Sequence, residues 1–184
     1  MGDFSRIYKT DMTDRQMMDF WTSVQLSRRD RKFAYCLPKM DGEGFVKWMR
    51  RDDVHPWGIL YRGIPVALCL LTNREGKKAE VHFCLLPVGS RRYSKSLSLA
   101  RAIGLYALSN VLWEENESGK YVIDTLIGVT PASNRTAIKY AGSVGGKFVA
   151  RVPDLCWYYD TNENVDGIMT VFNRNNVPRQ FKAL

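Results

Sequence analysis

The chain has 184 residues, 45% of them hydrophobic, enough for one domain with a full core. Its formal net charge of +8 calls for an anionic ligand or partner, or for a well-solvated basic surface. No stretch approaches the roughly 18 consecutive apolar residues of a membrane-spanning helix, and the opening MGDFSRIYKT, charged early and without an apolar run, reads as no secretory signal.

In chain order, Phe4 to Lys9 predicts a short first strand. Asp11 or Thr13 then caps a helix through about Leu26, with Met17, Phe20, Trp21 and Val24 on its apolar face. A charged loop holds Arg28 to Lys32, and Gly42 to Arg51 reads as a second, short helix with Phe45 and Trp48 inward. Trp57 to Tyr61 and Pro65 to Leu71 predict two strands joined by a tight turn at Arg62-Gly63, and Asn73 to Lys78 a polar hairpin loop. Ala79 to Val88 is an apolar strand that feeds a basic turn, Gly89 to Ser96. The turn opens a long helix in which Leu97, Ala100, Ile103, Ala107, Leu108, Val111 and Leu112 recur at three- and four-residue spacing. Tyr121 to Thr130 predicts a buried strand, Ser133 to about Val144 a helix, and Lys147 to Val152 a strand. Asp154 to Tyr159 is apolar and aromatic without a clear period, Asp160 to Asp166 is a loop, and Gly167 to Phe172 is the last strand. The domain is therefore expected to span 1–172, followed by a polar tail over 173–184. The order is β-α-α-β-β-β-α-β-α-β-β, and three successive strands without an intervening helix argue against a Rossmann-type sheet.

Two stretches carry chemistry. A strand–turn–helix junction aims backbone N–H groups at one point, and Arg91, Arg92 and Lys95 add charge there, so the turn is suited to an anion. On the strand before it, alternation places Glu80, His82 and Cys84 on one face and Val81, Phe83 and Leu85 on the other. Glu80 is a candidate general base; alternatively it orients His82, or His82 is the base itself. A glutamate at a wet strand end and a hydrogen-bonded core histidine account for the same pattern without chemistry. Cys84 lacks a local partner beyond His82 for work as a nucleophile. The four cysteines, Cys36, Cys69, Cys84 and Cys156, are far apart and read as buried reduced thiols, and two histidines cannot build a multi-histidine metal site. Further basic clusters lie at Arg28 to Lys32 and at Arg50-Arg51, where solvated charge and contact with nucleic acid or an acidic partner are both open readings.

The basic turn resembles motif A of the GCN5-related N-acetyltransferase superfamily. There, Arg or Gln, two residues, Gly, one residue, and Gly or Ala cradle the pyrophosphate of acetyl-CoA. Arg91 matches the leading basic residue, while Ser94 and Ser96 stand where the family prefers glycine. Serine keeps the N–H donor but narrows the approach to a phosphate. Asn134 and Ala137 are similar to the Asn-x-x-Ala that follows the family's fifth strand, and Gly145-Gly146 with Phe148 approximate its closing element. Helix capping by Ser133 or Asn134 explains part of this match equally well. The family's frequent general-acid tyrosine falls seven residues after the Asn, which is Ala141 in this sequence; Tyr140 is adjacent.

The resemblance covers nearly the whole chain through its element order. It implies an α/β (α+β) fold with a mixed, mostly antiparallel central sheet of about six or seven strands flanked by about four helices. It implies acyl transfer from acetyl-CoA to an amine by direct attack, with Glu80 or His82 as base; either Tyr140 is rearranged to serve as the acid, or the usual acid is absent. The CoA contacts it implies are Arg91, Arg92, Ser94, Lys95, Ser96 and Asn134, with pantetheine along the strand ending near Leu86 and no metal. The acceptor is open among small amines, antibiotics, peptide N-termini and protein lysines, and the expected location is cytoplasmic. The alternative is a non-catalytic protein on the same fold, similar to bacteriophage proteins of head assembly or the virion. Its basic clusters would then contact phage proteins or nucleic acid.

Overall fold

Two clusters of buried side chains, one on each face of a seven-stranded sheet, organise the fold. A computed structural model describes residues 3–26, 40–86, 98–158 and 161–179. The described elements are β1 (Phe4–Tyr8), α1 (Asp14–Leu26), α2 (Gly42–Met49), β2 (His55–Tyr61), β3 (Ile64–Glu75), β4 (Lys78–Leu85), α3 (Leu99–Leu112), β5 (Thr125–Pro131), α4 (Arg135–Ser143), β6 (Lys147–Tyr158) and β7 (Glu163–Asn173). Their order is the one expected from the sequence. The strands lie in the order β1-β2-β3-β4-β5-β7-β6, and every pair is antiparallel except β4–β5.

Strand alternation sends side chains to opposite faces. Leu68, Leu70 and Cys84 pack with Met17, Phe20, Trp21 and Val24 of α1 and with Phe45 and Met49 of α2. Trp57, Ile59, Cys69 and Ala79 face the other way, where Leu99, Ile103, Leu108 and Leu112 of α3 cover them. Helix α3 is buried nearly all round, because it is covered on further sides by α4 and by the segment after β7.

Local chemistry sets the element ends. Thr13 caps α1: its Oγ1 accepts from the Gln16 N–H at 3.2 Å, while Gln16 Oε1 accepts from the Thr13 N–H at 2.9 Å. Asp41 caps α2, Ser98 caps α3 and Asn134 caps α4. Arg62 and Gly63 both have positive φ, 52° and 78°, as a two-residue hairpin with the twist of its strands requires.

The structure differs from the sequence reading in three places. Strands β3 and β4 run to Glu75 and from Lys78, so the polar loop shrinks to a tight turn around Gly76. The unassigned Asp154 to Tyr159 stretch joins the preceding strand as one β6, which absorbs register shifts between Phe148 and Ala150 and between Val152 and Cys156. Residues 121–124 precede β5 rather than starting it; they are held by an isolated bridge between Glu115 and Tyr121 and by the Asp124 N–H donating to the Lys77 carbonyl at 2.8 Å.

Beyond β7, polar residues pack back on the domain. Arg174 donates to the carbonyls of Leu112 and Ile123, each at 2.8 Å, pairs with Asp124, and lies over the Tyr121 ring at 4.0 Å from its centroid. Trp113 Nε1 donates to the Val177 carbonyl at 3.0 Å, and Val177 is buried.

Candidate functional site

The candidate site lies where β4 and β5 part. These strands pair over three positions only, Lys78–Thr125, Ala79–Leu126 and Glu80–Ile127. Past them, β4 stays paired with β3, and β5 stays paired with β7 as far as Pro131. The two facing edges therefore diverge, opening the middle of the sheet on the side of Val81 to Leu85 and Gly128 to Pro131. A gap of this kind between strand edges is a natural seat for an extended, amide-bearing ligand.

A cavity of about 120 Å³ adjoins the gap. Val81, His82 and Phe83 line it from β4, Gly128 to Pro131 from β5, Gly104 and Ala107 from α3, and Asn134, Ala137 and Tyr140 from the start and body of α4. Small residues at the helix positions keep it open.

Two of the sequence-selected residues, Glu80 and His82, meet on the sheet face of Cys84, and His82 is also among the residues that line the cavity. His82 Nε2 lies 3.9 Å from Glu80 Oε2, with side-chain exposures of 18% and 35%. Burial pushes the His82 pKa down, and the nearby Glu80 carboxylate offsets only part of that, so the imidazole is neutral near pH 7 and able to accept a proton. A third group was not singled out in the sequence: Thr72 Oγ1 is 2.9 Å from His82 Nε2. Thr72 stands opposite Glu80 in the β3–β4 register, so all three side chains share one sheet face. Only the strand register reveals this partner, because Thr72 itself sits in a polar tract that reads as ordinary loop flank.

Tyr140 belongs to the other face. Its hydroxyl donates to the Ala100 carbonyl in the first turn of α3 at 2.8 Å, and its ring stacks on Phe83 with centroids 5.5 Å apart. Burial raises the Tyr140 pKa well above its ordinary value. Tyr140 and Phe83 together wall the cavity on the α3 side.

Asn134 does two things at once: its side chain accepts from the Ala137 N–H at 3.3 Å as the cap of α4, and it lines the cavity. Leu86 is buried with the α1 and α2 cluster, and its N–H donates to the Val66 carbonyl at 2.9 Å. Arg91, Arg92, Ser94, Lys95 and Ser96 lie outside the described residues, as do Arg28 to Lys32. The helix those turn residues precede is described from its cap: Ser98 Oγ accepts from the Arg101 N–H at 3.3 Å.

No protein-family model matches the chain, and no curated protein matches it in sequence. Solved structures do. A spermidine N-acetyltransferase from Vibrio cholerae, in complex with CoA and spermine, superposes with a TM-score of 0.65 at 11% identity, over 95% of this chain and 98% of that one. An acetyltransferase from Salmonella typhimurium that modifies the N-terminal serine of ribosomal protein L7/L12 gives 0.70 at 9% identity, over 94% and 96%. An N-acetyltransferase from Campylobacter jejuni gives 0.56 at 10%, over 94% and 99%. At such identities the likeness speaks for the fold, and it extends over almost the whole of each chain. The mixed seven-stranded sheet, split between β4 and β5 and flanked by the four described helices, is the fold of the GCN5-related N-acetyltransferases.

Proposed function

We propose that the chain is an acyl-CoA-dependent N-acyltransferase. The observation that carries this reading is the placement of a neutral, cavity-lining His82, backed by Glu80 and Thr72, at the point where the sheet of this fold splits. An acyl-CoA supplies an acyl carbon activated as a thioester; transfer forms a C–N bond to an amine and breaks the C–S bond, the departing thiolate taking up a proton.

The residues of this chain do the rest. An amine is protonated near pH 7 and must lose a proton to attack, so a base is needed. His82 fills that role, since it lines the cavity and its depressed pKa leaves it unprotonated. In the tautomer whose Nε2–H donates to Thr72 Oγ1, Nδ1 carries the lone pair that would accept the proton, and Glu80 would stabilise the imidazolium that results. Asn134 and the basic turn from Arg91 to Ser96 would hold the anionic end of CoA at the start of α3. Backbone N–H groups at the diverging strand edges would bind the carbonyl oxygen as it gains charge. Spermine bound in one of the similar structures, and a protein N-terminal serine as the target of another, favour an amine acceptor.

A non-catalytic protein on the same fold is the second reading. It draws on the Tyr140 hydroxyl being committed to Ala100 and on Ala141 standing at the expected acid position. Thiol release from acetyl-CoA, measured against polyamines, a serine-initiated peptide and a lysine peptide, separates the two. Amine-dependent release that disappears in His82→Gln is the expected result; thioester binding with no release for any amine would favour the second reading.

A further inference from the structure

The sheet face that carries Glu80 and His82 is covered over only half its width. There α1 and α2 pack against β3 and β4, and no side chain of β5, β6 or β7 joins that cluster. Among the described residues, then, no helix lies on this face beyond β4.

The strand register shows what the open half presents. Glu80 stands beside Ile127 across the β4–β5 pairing; across the β5–β7 pairing, Ile127 stands beside Val171 and Val129 beside Met169. Directly paired residues share a face, so these four apolar side chains form a floor that starts next to Glu80. Each is half-buried, and none packs against either core cluster of the described residues. At two strand spacings, the floor extends about 10 Å from Glu80.

One carboxylate borders this floor. Among the described residues Glu80 has no lysine or arginine partner; its neighbour at 3.9 Å is His82, which burial keeps neutral near pH 7. The other β5 and β7 residues on the same face are Thr125, Pro131, Val165, Gly167 and Asn173, none of them acidic. A second cationic centre on the ligand would find no counter-charge over the floor. The net charge of +8 opposes a polycation at longer range as well.

We infer that the acceptor is a monoamine with an apolar body, its nitrogen at Glu80 and His82 and its body on Ile127, Val129, Met169 and Val171. This assignment rests on the acyltransferase reading above, and the reaction is the one given there. The ammonium is drawn to the Glu80 carboxylate and passes its proton to His82. The free amine then attacks the thioester in the gap while its body sheds water against the floor. Spermine is a poor acceptor on this account, since its further ammonium groups would lie over apolar side chains.

The test is thiol release from saturating acetyl-CoA with butyl-, hexyl-, octyl- and decylamine and with spermine. It is run on the full chain and on Met169→Gln and Ile64→Thr. The alkylamines share one basicity, so their rates differ through burial of the chain alone. With one side buried, each added methylene should raise kcat/KM about twofold, hence about 16-fold from butyl to octyl, with little gain beyond octyl. Spermine should be the slowest. Met169→Gln should cut the butyl-to-octyl gain to about fourfold or less; if it fails to fold, the isosteric Val171→Thr takes its place. Ile64→Thr, at an exposed apolar residue on the β2–β3 hairpin, should leave the series unchanged.

Rates that are flat along the series, or faster with spermine than with octylamine, would overturn the floor and leave acyl transfer to amines standing. So would acylation of the serine-initiated or lysine peptide with none of the alkylamines. A chain-length gain that survives Met169→Gln would overturn its placement on this face. Light scattering that finds a dimer which Met169→Gln dissociates would give the face to a second copy and overturn the assignment. No release with any amine or peptide would overturn it together with the reading beneath it.

Discussion

Gly104→Ala tests how the α3 wall of the site is built. Gly104 sits in the middle of α3, beneath Tyr140, whose hydroxyl is held by the Ala100 carbonyl. A Cβ on Gly104 would run into that hydroxyl, and would lie 2.7 Å from Val144 Cγ1 and 3.0 Å from Tyr140 Cζ. On helix propensity alone, alanine should stabilise the position by about 1 kcal/mol. Against this stand overpacking of about 1–3 kcal/mol and loss of the Tyr140 hydrogen bond, about 1 kcal/mol. Neither neighbour yields readily, since Val144 is buried and the Tyr140 ring is stacked on Phe83. The net expectation is destabilisation by about 2 kcal/mol, read as a lower midpoint in urea with unchanged slope. Adding Tyr140→Phe removes the closest clash, so the double variant should be less destabilised than the sum of the singles by about 1 kcal/mol. A Gly104→Ala protein as stable as wild type would refute the locked arrangement of Tyr140 and, with it, the shape given to the cavity.

Three further outcomes follow from the site and its surroundings. His82→Gln should lower acyl transfer by about 10²–10⁴-fold, with CoA affinity retained, and Glu80→Gln should lower it less; calorimetry and a thiol-release assay on the same preparations check both, and loss of affinity in step with rate would contradict the assignment. Because burial depresses the His82 pKa, the unfolded chain takes up a proton below about pH 6.5 that the folded chain does not; stability should be full above that pH and fall on acidification by up to about 1.4 kcal/mol per unit. His82→Gln should flatten that slope in denaturation curves between neutral pH and pH 5, leaving the smaller contribution of His55, whose pKa is also lowered by burial. Arg174→Met should lower the melting temperature by about 4 °C or more, since it leaves the Leu112 and Ile123 carbonyls without their donor; an unchanged melting temperature would mean that the segment after β7 is dispensable.

The element order was legible because hydrophobic period and punctuation agree along most of this chain. The apolar stripe of α1, the Arg62-Gly63 turn and the alternation of β4 each state their own geometry. Strand β6 was not legible as one piece: Pro153 and Asp154, the latter at a φ of 54°, interrupt its pattern, and pairing with β7 holds it together across the interruption. The start of β5 was misplaced because Val122 and Ile123 look strand-like, while the contacts that decide the matter come from Glu114, across a short turn, and from Lys77 and Arg174, both distant in sequence. Of the site, the shared face of Glu80 and His82 follows from alternation alone. Thr72 does not, since it depends on the β3–β4 register, nor does the Tyr140 contact with Ala100, which depends on how α4 packs against α3. The lining of the cavity is likewise a property of the assembled layers, with Trp57 drawn from a strand far earlier in the chain.

The acyltransferase account stands most directly on CoA binding at the split between β4 and β5. Calorimetric titration of the full chain with CoA, at low and moderate salt, measures it. Binding in the micromolar range that weakens in Asn134→Ala, and weakens with added salt as the contacts of an anion should, is the result the account predicts. No binding up to millimolar CoA would contradict it.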